Sequence, residues 1–527
     1  MKKHFLAEIE EDILNIWEKE DTFNKSLLKN KSGELFSFYD GPPFANGTPH
    51  FGHIVQTTIK DTITRYKTMQ GYYVPRKIGW DTHGLPVEYA IEKEHDFKGK
   101  KDILEYGIAK FNKECEASVY KYKDLWEKMF IRVGRWADYK NTYSTMDQDY
   151  IESVWWVFKT IYDKGLIYKD FRSTPYCPRC ATPLSNFELN LGYQDNTLDP
   201  SLYVKFKLSN EATYLLGWTT TPWSLPGNSA IAVNPDAEYV YVELLDDNKE
   251  KETLVLARNR LNILNEESFH ITKEVLGRDL VGLNYEPLFK LNNLEDIDKN
   301  AYKVWPADFV SIDDGSGVLH VAPAFGEDDL ALSKKYNIPL IMSVDEYGRI
   351  KSDMGLPSEI ETLFFKKADS KIIEILSKQN RVYSSEMFKH TYPFCWRCDT
   401  PLLYYATDSW IVKVSDLNSN LSNNNSKINW TPKHIKEGRF GKWLEGAKDW
   451  SISRNRFWGA PLPVWITEDG EITVIGSIQE LQDKAIKPNE ISNLHRPYID
   501  DIVIKTDSGK IAHRISEVFD CWFESVA

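Results

Sequence analysis

Two histidines flank a glycine in the run SFYDGPPFANGTPHFGH, residues 37–53, and this pattern could bind a phosphate. The unpaired backbone N–H groups and the positive dipole at the start of a helix attract anions. His50 and His53 would add two imidazole donors for phosphate oxygens, and Gly52 permits a close approach of the backbone. The alternative interpretation is that the two histidines are ordinary capping residues.

The histidines require a junction between a strand and a helix to position them. A short buried strand is predicted over residues 35–39, and the Gly, Pro and Asn residues that follow indicate a turn. The helix is predicted because apolar residues recur at spacings of four, four and three, with Gly71 placed to end it. These apolar residues are Val55, Ile59, Ile63 and Tyr66.

Four of the six cysteines form two C-x-x-C pairs, in PYCPRC and PFCWRC. Such pairs in a cytosolic protein more often bind metal than form disulfides. Cys177, Cys180, Cys395 and Cys398 would supply the four thiolates of a structural Zn²⁺ site, built from two matching knuckles that are distant in sequence. The alternative is two unrelated cysteine turns that stay reduced and bind no metal.

The chain length predicts more than one domain, and the lack of a recognisable targeting segment predicts a cytoplasmic protein. A chain of 527 residues exceeds the size at which single cores stop growing. The net charge of −13 lacks the basic character of a general nucleic-acid binder, although local basic patches could still contact RNA. Acidic residues interrupt the apolar face of the N-terminal helix pattern, which argues against a signal peptide, and no membrane span is expected.

The order of patterns along the chain predicts its organisation. Alternating helical and strand-like patterns up to about residue 175 favour a parallel α/β sheet. Short alternating runs such as SLYVKFKL, YVYVEL and VLHVAPAF predict a separate β-rich domain over about 200–390. Helical and aromatic patterns return from about residue 410, where the asparagine-rich run 416–430 is predicted to be a helix end and a loop.

Three motifs together resemble one enzyme family. H-F-G-H after P-P-F-A-N-G resembles the His-x-Gly-His signature of class I aminoacyl-tRNA synthetases, and the isoleucyl enzymes most closely. GWTTTPWSLPGN, residues 217–228, and GSGVLHVAPAFGEDD, residues 315–329, are similar to their editing segments. LHRPYID and EVFDCWFES look like the eukaryote-like branch of the isoleucyl enzymes.

The resemblance implies a fold in which a Rossmann-like α/β catalytic core is interrupted by a β-rich editing domain, with a zinc-knuckle module at the junction. The implied segments are a first core part, a first knuckle, the editing domain, a second knuckle and a second core part, at 1–175, 176–199, 200–388, 389–410 and 411–527. A monomer is expected.

The implied reaction is the ATP-dependent activation of isoleucine, with Mg²⁺ accompanying ATP, followed by transfer to tRNA(Ile). By resemblance His50, Gly52 and His53 bind ATP, and the two histidines act in catalysis. Asp81, in GWDTHGLPVE, would hold the substrate ammonium, although it could instead cap a helix. Pro42 and Trp522 match positions that line the isoleucine side-chain pocket.

A second site is implied because a missing methylene changes binding in an apolar pocket by only about 1–3 kcal/mol, so valine is also activated. By resemblance Asp329 binds the ammonium of the mischarged valine, and His320 positions the terminal ribose. The remaining editing residues are Thr219, Thr220, Thr221 and Asn228. Taken alone, a threonine triplet is more often an ordinary strand, and a buried histidine is usually structural.

The chain also departs from the family pattern. It stops at Ala527, before the expected Lys-Met-Ser-Lys-Ser loop, so we expect a fragment that is impaired in ligation but able to edit. Ser224 stands where threonine is common. A family segment contains Arg454, Arg456 and Trp458, to which we assign no role. The alternatives are a valyl-tRNA synthetase, an editing-only aminoacyl-tRNA deacylase and a non-catalytic tRNA-binding paralogue.

Overall fold

The computed structural model describes residues 5–44, 47–209, 212–245, 251–264, 269–292, 300–487 and 491–527. Ala45 and Asn46 of the PPFANG motif lie outside the described residues. Within these ranges, no helix combines the length and the apolar character that a bilayer crossing requires.

Helices dominate the described elements up to residue 163, and strands dominate from residue 167 to residue 321. The helices are α1 (Phe5–Glu20), α2 (Thr22–Lys29), α3 (Phe51–Met69), α4 (Leu85–Glu94), α5 (Lys100–Tyr106), α6 (Ile108–Arg132), α7 (Gln148–Asp163), α8 (Asn186–Asn190), α9 (Glu327–Tyr336), α10 (Phe365–Lys378), α11 (Asn418–Lys427), α12 (Arg439–Glu445), α13 (Ile478–Lys484) and α14 (Cys521–Val526). The strands are β1 (Lys77–Trp80), β2 (Asp138–Ser144), β3 (Ile167–Cys177), β4 (Thr182–Pro183), β5 (Tyr193–Lys207), β6 (Thr213–Thr219), β7 (Ala230–Val233), β8 (Glu238–Leu245), β9 (Lys251–Ala257), β10 (His270–Leu276), β11 (Lys303–Pro306), β12 (Val318–Val321), β13 (Val382–Pro393), β14 (Leu403–Val412), β15 (Trp450–Ser451), β16 (Ser453–Arg454), β17 (Val464–Thr467), β18 (Ile472–Val474), β19 (Ile504–Lys505), β20 (Ile511–Arg514) and β21 (Val518–Phe519).

The chain divides into two compact units. The first unit comprises the described residues of Met1–Tyr168, Val412–Ala447 and Ile452–Ala527. The second unit comprises the described residues of Lys169–Ile411 and Lys448–Ser451. Each unit is therefore assembled from segments that are discontinuous in sequence. The catalytic and editing roles assigned to these regions from the sequence remain predictions.

The first unit contains a short parallel sheet beside a helical core. Strands β1 and β2 pair in parallel, as the alternating pattern predicted. A four-stranded antiparallel sheet has the order β18-β17-β20-β19, so the sheets of the unit are mixed. Helices α4 and α6 pack their apolar faces with β1 around the buried side chains of Trp80, Phe111 and Trp126.

The predicted strand at residues 35–39 is wrong. Leu35 makes only an isolated parallel bridge to Tyr73, and residues 36–43 have no regular structure. Leu35 is 58% exposed and Tyr39 is 83% exposed, so this stretch is not buried either. The glycine and prolines that follow cannot extend the pairing, because proline lacks the N–H that a ladder requires.

Helix α3 forms and ends before Gly71 as predicted, but its apolar face is exposed. The buried side of α3 instead carries the two threonines Thr57 and Thr64. The carbonyl of Thr64 accepts a hydrogen bond of 2.9 Å from Arg76 Nη2. Polar contacts therefore fix the orientation of this helix, and the apolar periodicity indicates only that a helix forms.

The second unit is built on a long mixed sheet, as the strand-like runs predicted. Its strand order is β10-β8-β9-β6-β12-β7-β11, and β5 pairs with both β6 and β13. Strand β12 runs parallel to β6 through the pair Leu319 and Trp218, and antiparallel to β7. This arrangement places His320 of β12 beside the segment that follows β6. Helix α10 packs against that segment over a core that includes Phe365 and Ile372.

The asparagine-rich run is a helix rather than the predicted helix end and loop. Residues 418–427 form α11, in which the side chain of Asn425 is buried. Asn425 Nδ2 donates to the carbonyl of Lys436 at 2.8 Å, and Trp430 Nε1 donates to Asn425 Oδ1 at 2.8 Å. These tertiary bonds offset the weak helix propensity of asparagine.

A buried ion cluster joins distant segments of the first unit. Arg456 contacts the carboxylates of Glu88 and Glu92, which both lie on α4, and all three side chains are at most 2% exposed. Glu88 Oε1 also accepts backbone hydrogen bonds of 2.9 Å from Phe457 and 2.5 Å from Trp458. The segment after the second unit is therefore held against α4 by charge as well as by apolar packing.

We predict that Arg456→Met destabilises the first unit by about 3–5 kcal/mol, because two buried carboxylates lose their counter-ion. Urea denaturation followed by tryptophan fluorescence measures this change in the free energy of unfolding. The matched control is Arg132→Met, which removes an exposed pair with Glu10 and should cost less than about 1 kcal/mol. Equal effects of the two substitutions would contradict the structural role of the cluster.

Candidate functional site

The two histidines at the start of α3 cap the helix and still leave donors available. His50 Nδ1 accepts from the backbone N–H of Gly52 at 3.2 Å, and His53 Nδ1 accepts from the backbone N–H of His50 at 3.1 Å. Because a backbone N–H can only donate, each Nδ1 carries a lone pair, and the neutral ring has its hydrogen on Nε2. Capping and phosphate binding are therefore compatible at this site.

The two imidazole rings stack on each other, and the ring of His53 packs against that of Trp126. The rings of His50 and His53 stack with centroids 3.7 Å apart, and His53 lies 4.2 Å from the ring of Trp126. Partial burial, and then the neighbouring His50, lower the pKa of His53. A neutral His53 keeps its Nδ1 lone pair for the cap, so the Nε2–H remains a donor at neutral pH.

A cavity of about 460 Å³ opens beside these rings. His50, His53 and Trp126 line it, together with Lys60 and Arg135. Lys60 Nζ lies 2.5 Å from Asp40 Oδ1, and Arg135 Nη2 lies 2.9 Å from Asp40 Oδ2. Two cations share one carboxylate, so the wall carries a net positive charge that suits an anionic ligand. The sequence motif did not identify this trio of charged residues.

Asp81 is a buried acid with an unsatisfied oxygen. The residue is 1% exposed, and its Oδ1 makes no hydrogen bond with any described residue. Burial, and then the nearby acids Glu524 and Asp520, raise the pKa of Asp81 well above its usual range, and backbone hydrogen bonds from His83 and Thr82 to this carboxyl group offset only part of the rise. An unpaired carboxylate oxygen in such a place is costly unless a ligand supplies a donor, and a cation would be the most favourable one.

The predicted pocket residues lie around one phenylalanine. Phe44 makes a parallel bridge with Asp81, and its ring lies 6.4 Å from the ring of Trp522. The carbonyl of Pro43 accepts a hydrogen bond of 3.0 Å from the backbone N–H of Asp81. Asp81 and Trp522 thus both lie beside Phe44, and Pro42 precedes Pro43 in the same segment; their role as a pocket stays a prediction.

In the second unit, the threonine-rich segment joins His320 through a chain of hydroxyl groups. Ser224 Oγ donates to the carbonyl of Thr221 at 2.7 Å, so this oxygen must act as an acceptor in its other contacts. Those contacts are His320 Nε2 at 3.0 Å and Thr221 Oγ1 at 3.1 Å. Thr219 Oγ1, which accepts from the backbone N–H of Thr221 at 3.0 Å, lies 3.2 Å from Thr221 Oγ1 and completes the chain.

The same bonds fix the tautomer of His320. Its Nε2 must donate to Ser224, and its Nδ1 must accept, which fits the position of Asn228 Nδ2 at 3.5 Å. Tyr285 donates to Asn228 Oδ1 at 2.7 Å and fixes the orientation of that amide. Burial lowers the pKa of His320 to about 4, so the ring is neutral at physiological pH. His320 therefore cannot act as a base toward Ser224.

Asp329 lies in the first turn of α9, close to the end of β12. Its Oδ2 accepts the backbone N–H of Ala322 at 2.8 Å, and burial raises its pKa to about 6. Ala322 follows His320 by two residues, which connects the acid to the histidine strand. Thr220 is only partly buried and lies between the two bonded threonines.

Asp369 is a buried acid beside the threonine-rich segment that the sequence motifs did not identify. Its Oδ1 accepts the backbone N–H of Trp223 at 2.8 Å and so anchors the threonine-rich segment to α10. Burial raises the pKa of Asp369 to about 7. No local motif surrounds Asp369, and only its contact with a segment far away in sequence reveals its position.

The four predicted cysteines come together in the second unit. Their Sγ atoms all lie within 4.8 Å of one another, with Cys398 Sγ 3.6 Å from Cys177 Sγ and 3.8 Å from Cys180 Sγ. A tetrahedral zinc–thiolate site with bonds of about 2.3 Å requires sulfur atoms about 3.8 Å apart. The donor set and its spacing therefore fit a metal ion.

The two cysteine turns also match in backbone conformation. A residue in the left-handed region follows the second cysteine of each pair, with φ of 48° at Ala181 and 53° at Asp399. The first turn is closed by pairing of β3 with β4. The second is closed by a backbone hydrogen bond of 2.8 Å from Cys395 to Thr400. The two cysteine turns are therefore alike in local backbone conformation, and their role as zinc knuckles stays a prediction.

Comparison with known proteins places these features in a family. The sequence profile of the class I tRNA synthetases (I, L, M and V) matches residues 12–527. The isoleucine–tRNA ligase of Clostridium acetobutylicum is 49% identical over 521 residues, which cover 98% of this chain and 49% of that protein. The Chlamydia pneumoniae isoleucine–tRNA ligase is 46% identical over 527 residues, or 100% of this chain and 50% of that protein.

The chain thus spans about half the length of the curated relatives it matches. Among solved structures, an Agrobacterium radiobacter LeuRS–tRNA–LeuAMS complex matches 98% of this chain and 58% of that chain, with a TM-score of 0.39 and 15% identity. The profile match covers nearly the whole sequence, and the chain belongs to the family of class I tRNA synthetases (I, L, M and V).

Proposed function

We propose that this chain carries the amino-acid-activating site and the editing site of an isoleucine–tRNA ligase. The reaction would activate isoleucine with ATP, accompanied by Mg²⁺, and transfer it to tRNA(Ile), and a second site would hydrolyse misactivated valine. The relatives named isoleucine–tRNA ligase support the choice of amino acid. The observation that carries the activation site is the buried Asp81 with its unsatisfied oxygen.

In the proposed activation step, the chain positions reactants and neutralises charge. The Nε2–H groups of His50 and His53 would donate to phosphate oxygens of ATP, and the cations of the neighbouring cavity would add positive potential. Asp81 Oδ1 would accept the substrate ammonium, which would then favour the ionised carboxylate. Phe44 and Trp522 would pack against the branched side chain, since an aliphatic substrate requires apolar walls.

In the proposed editing step, water is the nucleophile. The single hydrogen of Ser224 is committed to the Thr221 carbonyl, and His320 donates to that serine, so no acyl-serine intermediate is expected. Asp329 would bind the ammonium of the valyl group, and the threonine-rich segment would hold the terminal ribose.

A Zn²⁺ ion is the metal we propose for the four cysteines, in a structural role. Four thiolates close the coordination shell and leave no open position for catalysis. When bound, the ion would cross-link the two knuckles. The cysteines are mostly buried, which restricts access of solvent to the site.

We predict that Asp81→Asn weakens binding of isoleucyl sulfamoyl adenosine by about 30-fold or more, because the substrate ammonium loses its counter-charge. Isothermal titration calorimetry measures the dissociation constant. Asp96→Asn serves as a control, since the Asp96 side chain is 87% exposed and should not affect binding. Tight binding by the Asp81 variant would exclude Asp81 as the ammonium ligand.

For the editing site, we predict that this chain hydrolyses valyl-tRNA(Ile) and spares isoleucyl-tRNA(Ile). Asp329→Asn should slow the hydrolysis by about 30-fold or more. The neighbouring Asp328 is exposed, so the control variant Asp328→Asn should leave the rate unchanged. The rate should fall as the pH drops through about 6, because protonation of Asp329 removes the charge that binds the ammonium. Release of labelled valine measures the rate, and hydrolysis of both substrates would rule out the isoleucyl assignment.

The metal proposal predicts one zinc ion per chain after purification without chelator. Cys398→Ser should lose most of the zinc, because one thiolate of four is removed. Cys115→Ala should retain it, since Cys115 is a buried cysteine outside the cluster. Inductively coupled plasma mass spectrometry gives the metal content. A zinc-free wild-type protein would overturn the proposal.

A further inference from the structure

A buried row of hydrogen bonds in the first unit is not used by the proposed chemistry. His83 Nδ1 lies 2.5 Å from Glu524 Oε2, and His83 Nε2 lies 2.9 Å from His495 Nε2. His495 Nδ1 in turn lies 2.9 Å from Asn493 Oδ1. The side chains of His83 and Glu524 are fully buried. Solvent therefore cannot satisfy a mispaired contact between His83 and Glu524, whereas His495 and Asn493 are partly exposed.

The contact between Asn493 and His495 fixes which atom donates in each hydrogen bond of the row. The backbone N–H of His495 donates to Asn493 Oδ1 at 2.9 Å, so the atom that faces the His495 ring is the amide oxygen. That oxygen can only accept, and His495 Nδ1 must therefore carry a hydrogen. This orientation is imposed by the backbone and does not depend on the charge of either ring.

The remaining hydrogens follow one after another. A neutral His495 with its hydrogen on Nδ1 has a lone pair on Nε2, so His83 Nε2 must donate to it. His83 Nδ1 then has a lone pair, and Glu524 must supply the hydrogen between them. An ionised Glu524 beside two neutral imidazoles would leave two lone pairs facing each other at one of the contacts. The row therefore contains one proton more than an ionised Glu524 and two neutral imidazoles would hold together.

The environment places this proton on the carboxyl group. Glu524 Oε1 accepts the backbone N–H of Ala460 at 3.0 Å, which leaves Oε2 to donate. Burial raises the pKa of Glu524 well above its usual range and lowers the pKa of His83 and of His495 to about 3. The other titratable groups near the row are Asp81, Asp147, Tyr150 and Asp520. Asp147 raises the pKa of His83, but burial outweighs this effect, and Asp520 is paired with Arg454 at 2.6 Å.

We propose that a neutral Glu524 locks His83 and His495 into this row and thereby positions the amino-acid pocket. His83 follows Asp81 by two residues, and Glu524 follows Trp522 by two residues. The row thus connects the two segments that carry the proposed ammonium ligand and the proposed side-chain wall. A neutral Glu524 also means that no second carboxylate in this row competes with Asp81 for the substrate ammonium. This assignment of the pocket rests on the proposed function, whereas the proton count does not.

Glu524→Gln is the discriminating variant. Its amide can donate to His83 Nδ1 and accept from Ala460, so it imitates the protonated acid and not the carboxylate. We expect Glu524→Gln to bind isoleucyl sulfamoyl adenosine within about threefold of the wild type. Glu524→Ala and His83→Gln should bind about tenfold or more weakly, because buried donors or acceptors lose partners. The exposed His434→Gln is the matched control for the histidine substitution.

Proton placement is read directly by ¹⁵N NMR of the wild-type chain with labelled histidine. We expect His495 protonated on Nδ1 and His83 on Nε2, with signals assigned from single histidine variants. A hydrogen on His83 Nδ1 would overturn the proposal, as would loss of inhibitor binding in a correctly folded Glu524→Gln variant.

The free energy of unfolding, measured as a function of pH for the wild type and for Glu524→Gln, gives an independent check. Since the pKa of Glu524 is raised on folding, its stabilising effect should decline as the pH rises above the ordinary range of glutamic acid. Glu524→Gln should lack this decline, and identical pH profiles would contradict the proposal. If the wild type binds no inhibitor, the proposed function fails, while the NMR and stability measurements still decide where the proton lies.

Discussion

A guanidinium group that is removed from water and held by two carboxylates is the interaction on which the first unit depends. The unit is discontinuous, and Arg456 joins its later segment to Glu88 and Glu92 on α4. Because an uncompensated buried charge is so costly, this ion cluster strongly favours the observed position of the later segment. Trp458 then donates from its indole to the carbonyl of Thr82 at 2.8 Å, beside Asp81. The buried cation and this hydrogen bond thus both hold the later segment beside the strand end that carries Asp81.

The features that local chemistry specifies were predictable from the sequence. The histidines at the start of α3, the end of that helix near Gly71 and the two cysteine knuckles all depend on residues that are close together in the chain. Helix caps and tight turns are decided by a few neighbouring side chains. The β-rich character of the second unit was predictable for the same reason, since alternation with a period of two is local information.

What could not be predicted depends on distant partners. The apolar periodicity identified α3 but not its exposed side, which is determined by contacts such as the one from Arg76 to Thr64. The anchoring of Trp223 by Asp369 joins positions with no shared motif. The stretch at residues 35–39 has strand-like composition but finds only one bridging partner. In each case tertiary contacts override the local preference.

The separation of the two cysteine turns has a consequence for biosynthesis. Cys180 and Cys398 are 218 residues apart, and a ribosome adds about 5–20 residues per second. The first pair must therefore wait for about 10–40 s before its partners emerge. During that interval two thiols that are buried in the finished fold are accessible to oxidants and to adventitious metal ions. The time taken by translation, rather than the chemistry of the completed cluster, is the period in which this part of the molecule is most vulnerable.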